Sequence, residues 1–391
     1  MNFMTASSPN ETFPASKPPN LLVAGHFVRT RRVGGAEQML YNLLDGFSAW
    51  PVEVTLLCGD RTHLSAEFLQ HSRFLRVEER GGTGTRFAAE QLACLSRDVT
   101  GQAMLFPNYY IPPVRPRRLG RVGVVIHDFQ YRHYPAYFSR AKRLWLRMAQ
   151  EMSIRLADRV IVISDFVRQD AVRWFGPKVA DKVTVIPNAM SWRRFDNGLD
   201  GPRPMDRPYV LSVAAQYPHK NLETLIHAFA IVAKMNADIQ LVLCGQSYND
   251  LHGVAGKRAG AGALIQDLGL TDRVALTGFV DDTSLARWYQ HAELFAFPSV
   301  FEGFGMPPVE ALGFNLPTLI TNATALPETT LGLAQHVSAP YDAAEWADKI
   351  VMILRQPASY RPGPGNVARL KDHYAPARVA GEYLKALSIN D

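Results

Sequence analysis

Cysteine is scarce in this chain of 391 residues. Cys58, Cys94 and Cys244 are odd in number, widely spaced and never in a C-x-x-C pair, which argues against a disulfide framework and a structural zinc site. A cytoplasmic protein is expected. Long apolar runs are missing as well, since none approaches the roughly 18 residues that cross a bilayer. Residues 1–19 are polar with scattered prolines and have no signal-peptide core, so a disordered tail is expected there. No obvious covalent nucleophile stands out, and no recognised nucleic-acid module accompanies the arginines, so nucleic acid is not an expected partner.

The chain exceeds what one hydrophobic core usually serves, so two domains are expected. Short apolar or β-branched runs alternate with longer helical patterns, as in parallel sheets wrapped by helices. In the first half the strands fall at Leu21 to Ala24, Val52 to Leu57, Met104 to Phe106, Val122 to Ile126, Arg159 to Ile163 and Val183 to Ile186. In the second half they fall at Tyr209 to Val213, Gln240 to Cys244, Val274 to Leu276, Leu294 to Phe297 and Thr318 to Ile320. Gly198, Gly201, Pro202, Pro204 and Pro208 break the pattern between them and mark a linker. The expected fold class is α/β: two Rossmann-like domains, residues 20–192 and 208–373, joined by a linker at 193–207 and followed by a terminal helix within 374–391. Ligands of such sheets bind beyond the carboxyl ends of strands.

Charge divides the same way. Residues 1–195 hold 27 Lys and Arg against 16 Asp and Glu, and residues 196–391 hold 15 against 20. Basic groups at Arg29, Arg31 and Arg32, at Arg115, Arg117, Arg118 and Arg121, and at Arg140, Lys142, Arg143 and Arg147 suit an anionic membrane surface, a phosphorylated acceptor or nucleic acid, with a solvated face as the plain alternative.

The most informative stretch is Glu302 to Glu310. Gly303 and Gly305 let a ligand approach the backbone, and Pro307 with Pro308 suits a first helical turn. A helix therefore starts after Glu302, and the amides at such a start form a ready anion site. Carboxylates repel a phosphate, so Glu302 and Glu310 are better suited to accept hydrogen bonds from sugar or ribose hydroxyls. The pattern predicts a nucleotide sugar.

Other motifs sit at strand ends. Gly34 and Gly35 open a helix whose apolar positions include Met39, Leu40, Leu43 and Leu44; this is a mere turn or a ligand approach, and it is not the G-x-G-x-x-G of dinucleotide binding. His127 and Asp128 follow the strand ending at Ile126, with Asp128 equally suited to capping a turn. Lys220 and Asn221 precede an amphipathic helix, where the lysine is either a plain surface residue or a point charge for a diphosphate. Asp281 and Asp282 look like a helix cap, and no metal is assigned to them.

These residues resemble the retaining nucleotide-sugar glycosyltransferases of family four, which have the two-domain GT-B fold. The resemblance runs from about Leu21 onward. It rests on Gly34 to Glu37, Ile126 to Asp128, Ile163 to Phe166, Val185 to Asn188, Lys220-Asn221, Gly278 to Val280, Phe297 to Ser299 leading into the two-glutamate motif, and Pro327-Glu328. It implies a donor site in the second half, an acceptor site in the first, and a last helix near Pro376 to Ser388 that crosses back. By that likeness Lys220 neutralises the diphosphate and Glu302, with the amides of Phe304, Gly305 and Met306 beside Gly303, holds the transferred sugar. Glu310 binds the ribose, the loop at Val280 meets the base, and His127 binds a sugar hydroxyl. Gly34 and Gly35 flank the phosphate or acceptor, and Asn188 and Asn221 belong to the matched motifs lining the site. The chain departs from the pattern at Ala215, where many relatives carry arginine, at Ala189, where glycine is usual, and at His219, which is often arginine.

The resemblance further implies a metal-independent hexosyltransferase without a cofactor, the nucleotide sugar being a substrate. The Ile-His-Asp form, Tyr131 to Pro135 and the Lys-Asn pair look like bacterial mannosyl- or rhamnosyl-type enzymes of O-antigen and other surface polysaccharides, so GDP-mannose is the expected donor. A saccharide or lipid-linked saccharide is the expected acceptor, met at the inner face of the plasma membrane. The rivals are a UDP-sugar-dependent transferase, an epimerase or polymerase on the same fold, and a catalytically silent nucleotide-sugar binder.

Overall fold

In a computed structural model, which describes residues 19–28, 34–60, 64, 75–79, 103–113, 120–246 and 260–389, the strands form two separate parallel sheets. The expected tail, apart from Pro19, lies outside the described residues, as do Arg29, Arg31, Arg32, Arg115, Arg117, Arg118 and Cys94.

The first sheet contains β1 (Asn20–Ala24), β2 (Glu53–Cys58), β3 (Leu75–Glu79), β4 (Ala103–Phe106), β5 (Val122–Ile126), β6 (Arg159–Val162) and β7 (Val183–Val185), in the order β3-β2-β1-β4-β5-β6-β7. The second contains β8 (Tyr209–Val213), β9 (Gln240–Cys244), β10 (Val274–Gly278), β11 (Leu294–Phe297), β12 (Thr318–Thr321) and β13 (Gln335–Val337), in the order β10-β9-β8-β11-β12-β13. Every pairing is parallel. Strands covered on both faces read as unbroken apolar runs, and Leu21, Leu22 and Val23 of β1 and Leu294 to Phe297 of β11 are wholly buried.

Two strands escaped the sequence reading, β3 and β13. Both are sheet edges, where burial is incomplete and polar side chains are tolerated, so neither Leu-Arg-Val-Glu-Glu nor Gln-His-Val carries the apolar run of a central strand.

The helices that bear on the site are α1 (Gly35–Phe47), α2 (Arg140–Leu156), α3 (Asp165–Phe175), α4 (Leu222–Met235), α5 (Asp282–His291), α6 (Met306–Gly313) and α7 (Pro376–Ala386). The stretch read as a linker is structured at its start: Arg193–Gly198 is a 3-10 turn packed on α5, so closely that a Cβ on Gly198 would lie 2.3 Å from the Thr283 carbonyl oxygen. Helix α7 returns to the first half and lies on α1. Trp50 Nε1 donates to the Ala377 carbonyl at 2.7 Å, and a Cβ on Gly46 would come within 2.1 Å of the Pro376 oxygen, so that crossing needs glycine.

Candidate active site

Strand order reverses between β1 and β4 in the first sheet and between β8 and β11 in the second. Chains leaving neighbouring strands in opposite directions open a crevice at such a point. Lys220 follows β8 and Glu302 follows β11, so topology alone brings them together. Lys220 Nζ donates to Glu302 Oε1 at 2.6 Å, with side chains 17% and 13% exposed. The ammonium also lies 5.4 Å from the centre of the Phe297 ring.

Backbone contacts fix this geometry. The His219 carbonyl accepts from Val300 N at 2.9 Å and Ser299 Oγ at 3.2 Å, which ties the lysine loop to the glutamate loop. Glu302 N donates to Thr324 Oγ1 at 3.0 Å. Asn221 takes a left-handed conformation with φ 53°; its Nδ2 donates to the Pro340 carbonyl and its Oδ1 accepts from Thr224, both at 2.8 Å. Asn221 therefore has both ends of its amide engaged within the protein and holds the turn that carries Lys220.

The first half supplies the opposite wall. Ser164 Oγ donates to the Gly303 carbonyl at 2.7 Å, and a Cβ on Gly303 would sit 2.0 Å from the His127 carbonyl oxygen. Glycine at this position is what allows the two loops to touch. His127 Nε2 lies 2.9 Å from the Pro107 carbonyl. A carbonyl only accepts, so Nε2 carries the proton and Nδ1 is the acceptor of the neutral ring. Burial lowers the His127 pKa, against the Pro107 bond and the Asp128 charge. Asp128 is held above the usual carboxylate range, first by burial and further by Glu302, while the Gln130 amide, His127 and Lys220 oppose the rise. Its Oδ1 accepts from Gln130 N at 2.9 Å, the turn cap the sequence offered.

A second clasp crosses the cleft beside the first. Glu328 accepts from Asp165 N at 2.5 Å and Phe166 N at 3.2 Å, capping α3 from the other half. The motifs Ile163 to Phe166 and Pro327-Glu328, far apart in sequence, are thus partners.

Helix α6 opens at Met306 after Gly305 at φ +85°, with both prolines in the first turn. Phe304 and Met306 have buried side chains, and the Phe304 carbonyl accepts from Thr329 Oγ1 at 2.7 Å. Glu310 is 4% exposed. Its Oε1 accepts from Arg194 at 2.5 Å and its Oε2 from Tyr289 at 2.8 Å. Arg194 also donates to Asp282 at 2.8 Å and Gln38 at 3.2 Å and stacks over Phe195 at 4.3 Å. Burial opposes the Arg194 charge, but Glu310 and Asp282 outweigh it and raise its pKa. A ribose hydroxyl reaching Glu310 must share the carboxylate with this arginine.

Sequence reasoning missed Arg194 because it lies among breakers and carries no periodic signal; Ser164 was visible only as part of a motif. Of the remaining candidates, Gly34 caps α1 and its amide donates to Glu37 at 3.1 Å, while Gly35 begins that helix one turn from Gln38. Asn188 is buried, and among the described residues its Oδ1 has no hydrogen-bond partner. Val280 lies in the turn before α5, whose cap is Asp281, accepting from Ser284 N at 2.7 Å. Lys220 therefore meets Glu302 directly and Gly303 abuts the His127 backbone, while Glu310, Arg194 and the start of α1 form a second group. Among the described residues, no three His, Cys, Asp or Glu gather as a metal cluster.

Two family models cover most of the chain in succession: Glycosyltransferase Family 4 over residues 33–191 and Glycosyl transferases group 1 over residues 200–366. The chain belongs to the family four glycosyltransferases. Among curated proteins it is similar to the O-antigen chain mannosyltransferase RfbU of Salmonella typhimurium, 28% identical over 236 residues that make up 60% of this chain and 61% of the relative. It is also similar to O-antigen chain mannosyltransferase B of Escherichia coli, 26% identical over 257 residues, 64% of each chain. Neither match reaches two thirds of the relative's length. Among solved structures, sucrose-phosphate synthase from Thermosynechococcus elongatus superposes with a TM-score of 0.73 at 21% identity, covering 94% of this glycosyltransferase and 98% of that chain. The fold is GT-B.

Proposed function

We propose that this glycosyltransferase is a retaining, metal-independent hexosyltransferase that moves a hexose of mannose or rhamnose type from a nucleotide-sugar donor, with GDP-mannose the first choice, to a saccharide or lipid-linked saccharide during bacterial surface polysaccharide assembly. The observation that carries the reading is the Lys220–Glu302 contact at 2.6 Å at the switch point of the second sheet. Similarity to the two O-antigen mannosyltransferases supports the choice of sugar and setting.

Breaking the bond between the anomeric carbon and the diphosphate builds positive charge on the sugar and negative charge on the leaving group. Lys220 meets that negative charge, aided by the backbone amides at the start of α6. Glu302, released by the lysine, accepts from sugar hydroxyls, and the neutral His127 offers Nδ1 to another. The attack takes place on the face the phosphate leaves, and a phosphate oxygen accepts the acceptor's proton.

A peripheral membrane contact fits α2. Leu144 and Met148 are 58% and 55% exposed, beside exposed Arg140, Lys142 and Arg147, a mixture suited to anionic lipid. Among the described residues no helix is long and apolar enough to cross a membrane. Flotation with anionic vesicles tests this contact, and binding that is absent at low salt counts against it.

The deciding experiment is a thermal-shift panel of GDP-, UDP- and ADP-sugars, followed by product analysis with the stabilising donor and with and without EDTA. Stabilisation and transfer by GDP-mannose, unaffected by chelation and with the anomeric configuration kept, is expected. A UDP-sugar winner, inversion, or loss of turnover in EDTA each overturns the corresponding part, and binding without turnover overturns the enzyme reading.

A further inference from the structure

Around the mouth of the cleft stands a group of aromatic rings that the donor chemistry does not use. Phe301, immediately before Glu302, is 3% exposed and forms its floor. Three rings of the first half pack on it, His133 at 5.1 Å, Tyr134 at 5.6 Å and Phe166 at 5.8 Å between centroids. His133 is fixed in turn by Asp170, with Nε2 2.5 Å from Oδ2. Tyr137 stacks on Tyr134 at 5.2 Å with the planes only 8° apart. From the second half, the Tyr341 phenol lies near enough to Tyr134 to add, after burial, to the rise of its pKa. The floor is therefore buried and held from below, while the rim is open: Tyr137 is 43% exposed and Tyr341 66%.

Exposed tyrosines on a rigid apolar floor present flat carbon surfaces flanked by phenol groups. A pyranose is built the same way, with a C–H face and a rim of hydroxyls, so it stacks and hydrogen-bonds on such a surface at once. Phe301, the floor on which Tyr134 packs, directly precedes Glu302 in the chain. Among the described residues these rings share no ring contact with the Phe195, Tyr289 and Phe314 group packed around Glu310, so the shelf is separate from the place assigned to the donor nucleotide.

We propose that Tyr134, Tyr137 and Tyr341 form the stacking shelf for the acceptor saccharide, assembled from both halves of the molecule when the cleft is closed. This rests on the transferase reading given above. The shelf orients the incoming sugar so that its hydroxyl points past Phe301 toward the sugar held at Glu302. Because Tyr341 comes from one half and Tyr134 from the other, closure completes the donor and acceptor sites together.

The test uses Tyr137→Ala, Tyr341→Ala, the double variant and Tyr341→Phe in the full chain. Each single alanine variant is expected to raise the acceptor KM about three- to tenfold, the range for losing one aromatic stacking contact, with the double variant greater. Affinity for the donor, by calorimetry, stays unchanged, and Tyr341→Phe recovers most of the loss. Saturation-transfer NMR with mannobiose and chitobiose in the presence of GDP reads the shelf without turnover. Signals seen with the native protein and lost in the double variant support it even if no transfer is found, a result that would fail the transferase reading alone. An unchanged acceptor KM in the double variant, an equal rise in the donor KM, or no saccharide signal from the native protein overturns the proposal. So does a loss of vesicle binding in the double variant with saccharide binding intact, which assigns the tyrosines to a lipid surface.

Discussion

Arg194 leaves the segment between the two sheets and places its guanidinium 2.5 Å from Glu310, a carboxylate buried in the second half. The same guanidinium reaches Gln38 of α1, and Gln38 donates to Asn42, which donates to the Ala189 carbonyl at 2.8 Å. One arginine thus links helix α6, the connecting segment and the first turns of α1. Removing one partner of a buried pair leaves the other charge uncompensated, so Arg194→Ala is expected to cost about 3 kcal/mol of stability. Urea unfolding of Arg194→Ala, Glu310→Gln and the double variant measures it. The double variant should be more stable than the sum of the single losses predicts, and additive losses would show that the two side chains are not coupled.

Lys220→Ala and Glu302→Ala should each nearly abolish transfer while leaving the fold intact. Deleting one preorganised donor at the developing charge costs on the order of a hundredfold or more in rate, so the Lys220 loss should fall on kcat. Circular dichroism and steady-state kinetics check both, and near-normal turnover by either purified variant refutes the assignment.

His219 gives a pH dependence of definite sign. Burial, with the Lys220 charge beside it, pushes its pKa down from 6.5 to about 4. The folded state therefore binds fewer protons at this site than the unfolded chain between those values, and stability rises with pH there. The contribution is fully present above pH 6.5 and is lost as pH falls toward about 4. The melting temperature of the native protein should fall relative to that of His219→Gln as pH drops from 7 to 4, and parallel curves would contradict this.

The central strands and the Lys220–Glu302 pair were legible because both follow from local pattern: apolar runs fix the strands, and residues after β8 and β11 must meet where strand order reverses. Glycine and proline around Glu302 announced α6 for the same reason. Arg194 was not legible, because its partners Gln38, Asp282 and Glu310 converge only once both sheets exist, and nothing in the local sequence separates it from its neighbour Arg193. Asn221 illustrates a different limit. Its place beside Lys220 was plain, but the left-handed backbone and the bond to Pro340 that occupy its amide depend on a loop more than a hundred residues away. The aromatic shelf was hidden likewise, since Tyr134 and Tyr341 belong to different halves.

The last prediction concerns closure. Glu328 binds the first amides of α3 from across the cleft, where a carboxylate both caps the helix and meets the positive end of its dipole. The contact is exposed, so its strength is modest, on the order of 1 kcal/mol. That is enough to change the balance of closed and open forms severalfold, because the neighbouring bond from Ser164 to the Gly303 carbonyl is a neutral one. Glu328→Ala should therefore enlarge the radius of gyration in small-angle scattering and, on the proposed function, raise the KM of donor and acceptor together. Added salt should mimic the variant, because screening weakens an exposed charged contact more than a buried one. A scattering profile and KM values indistinguishable from the native protein would show that the halves are held together without this carboxylate.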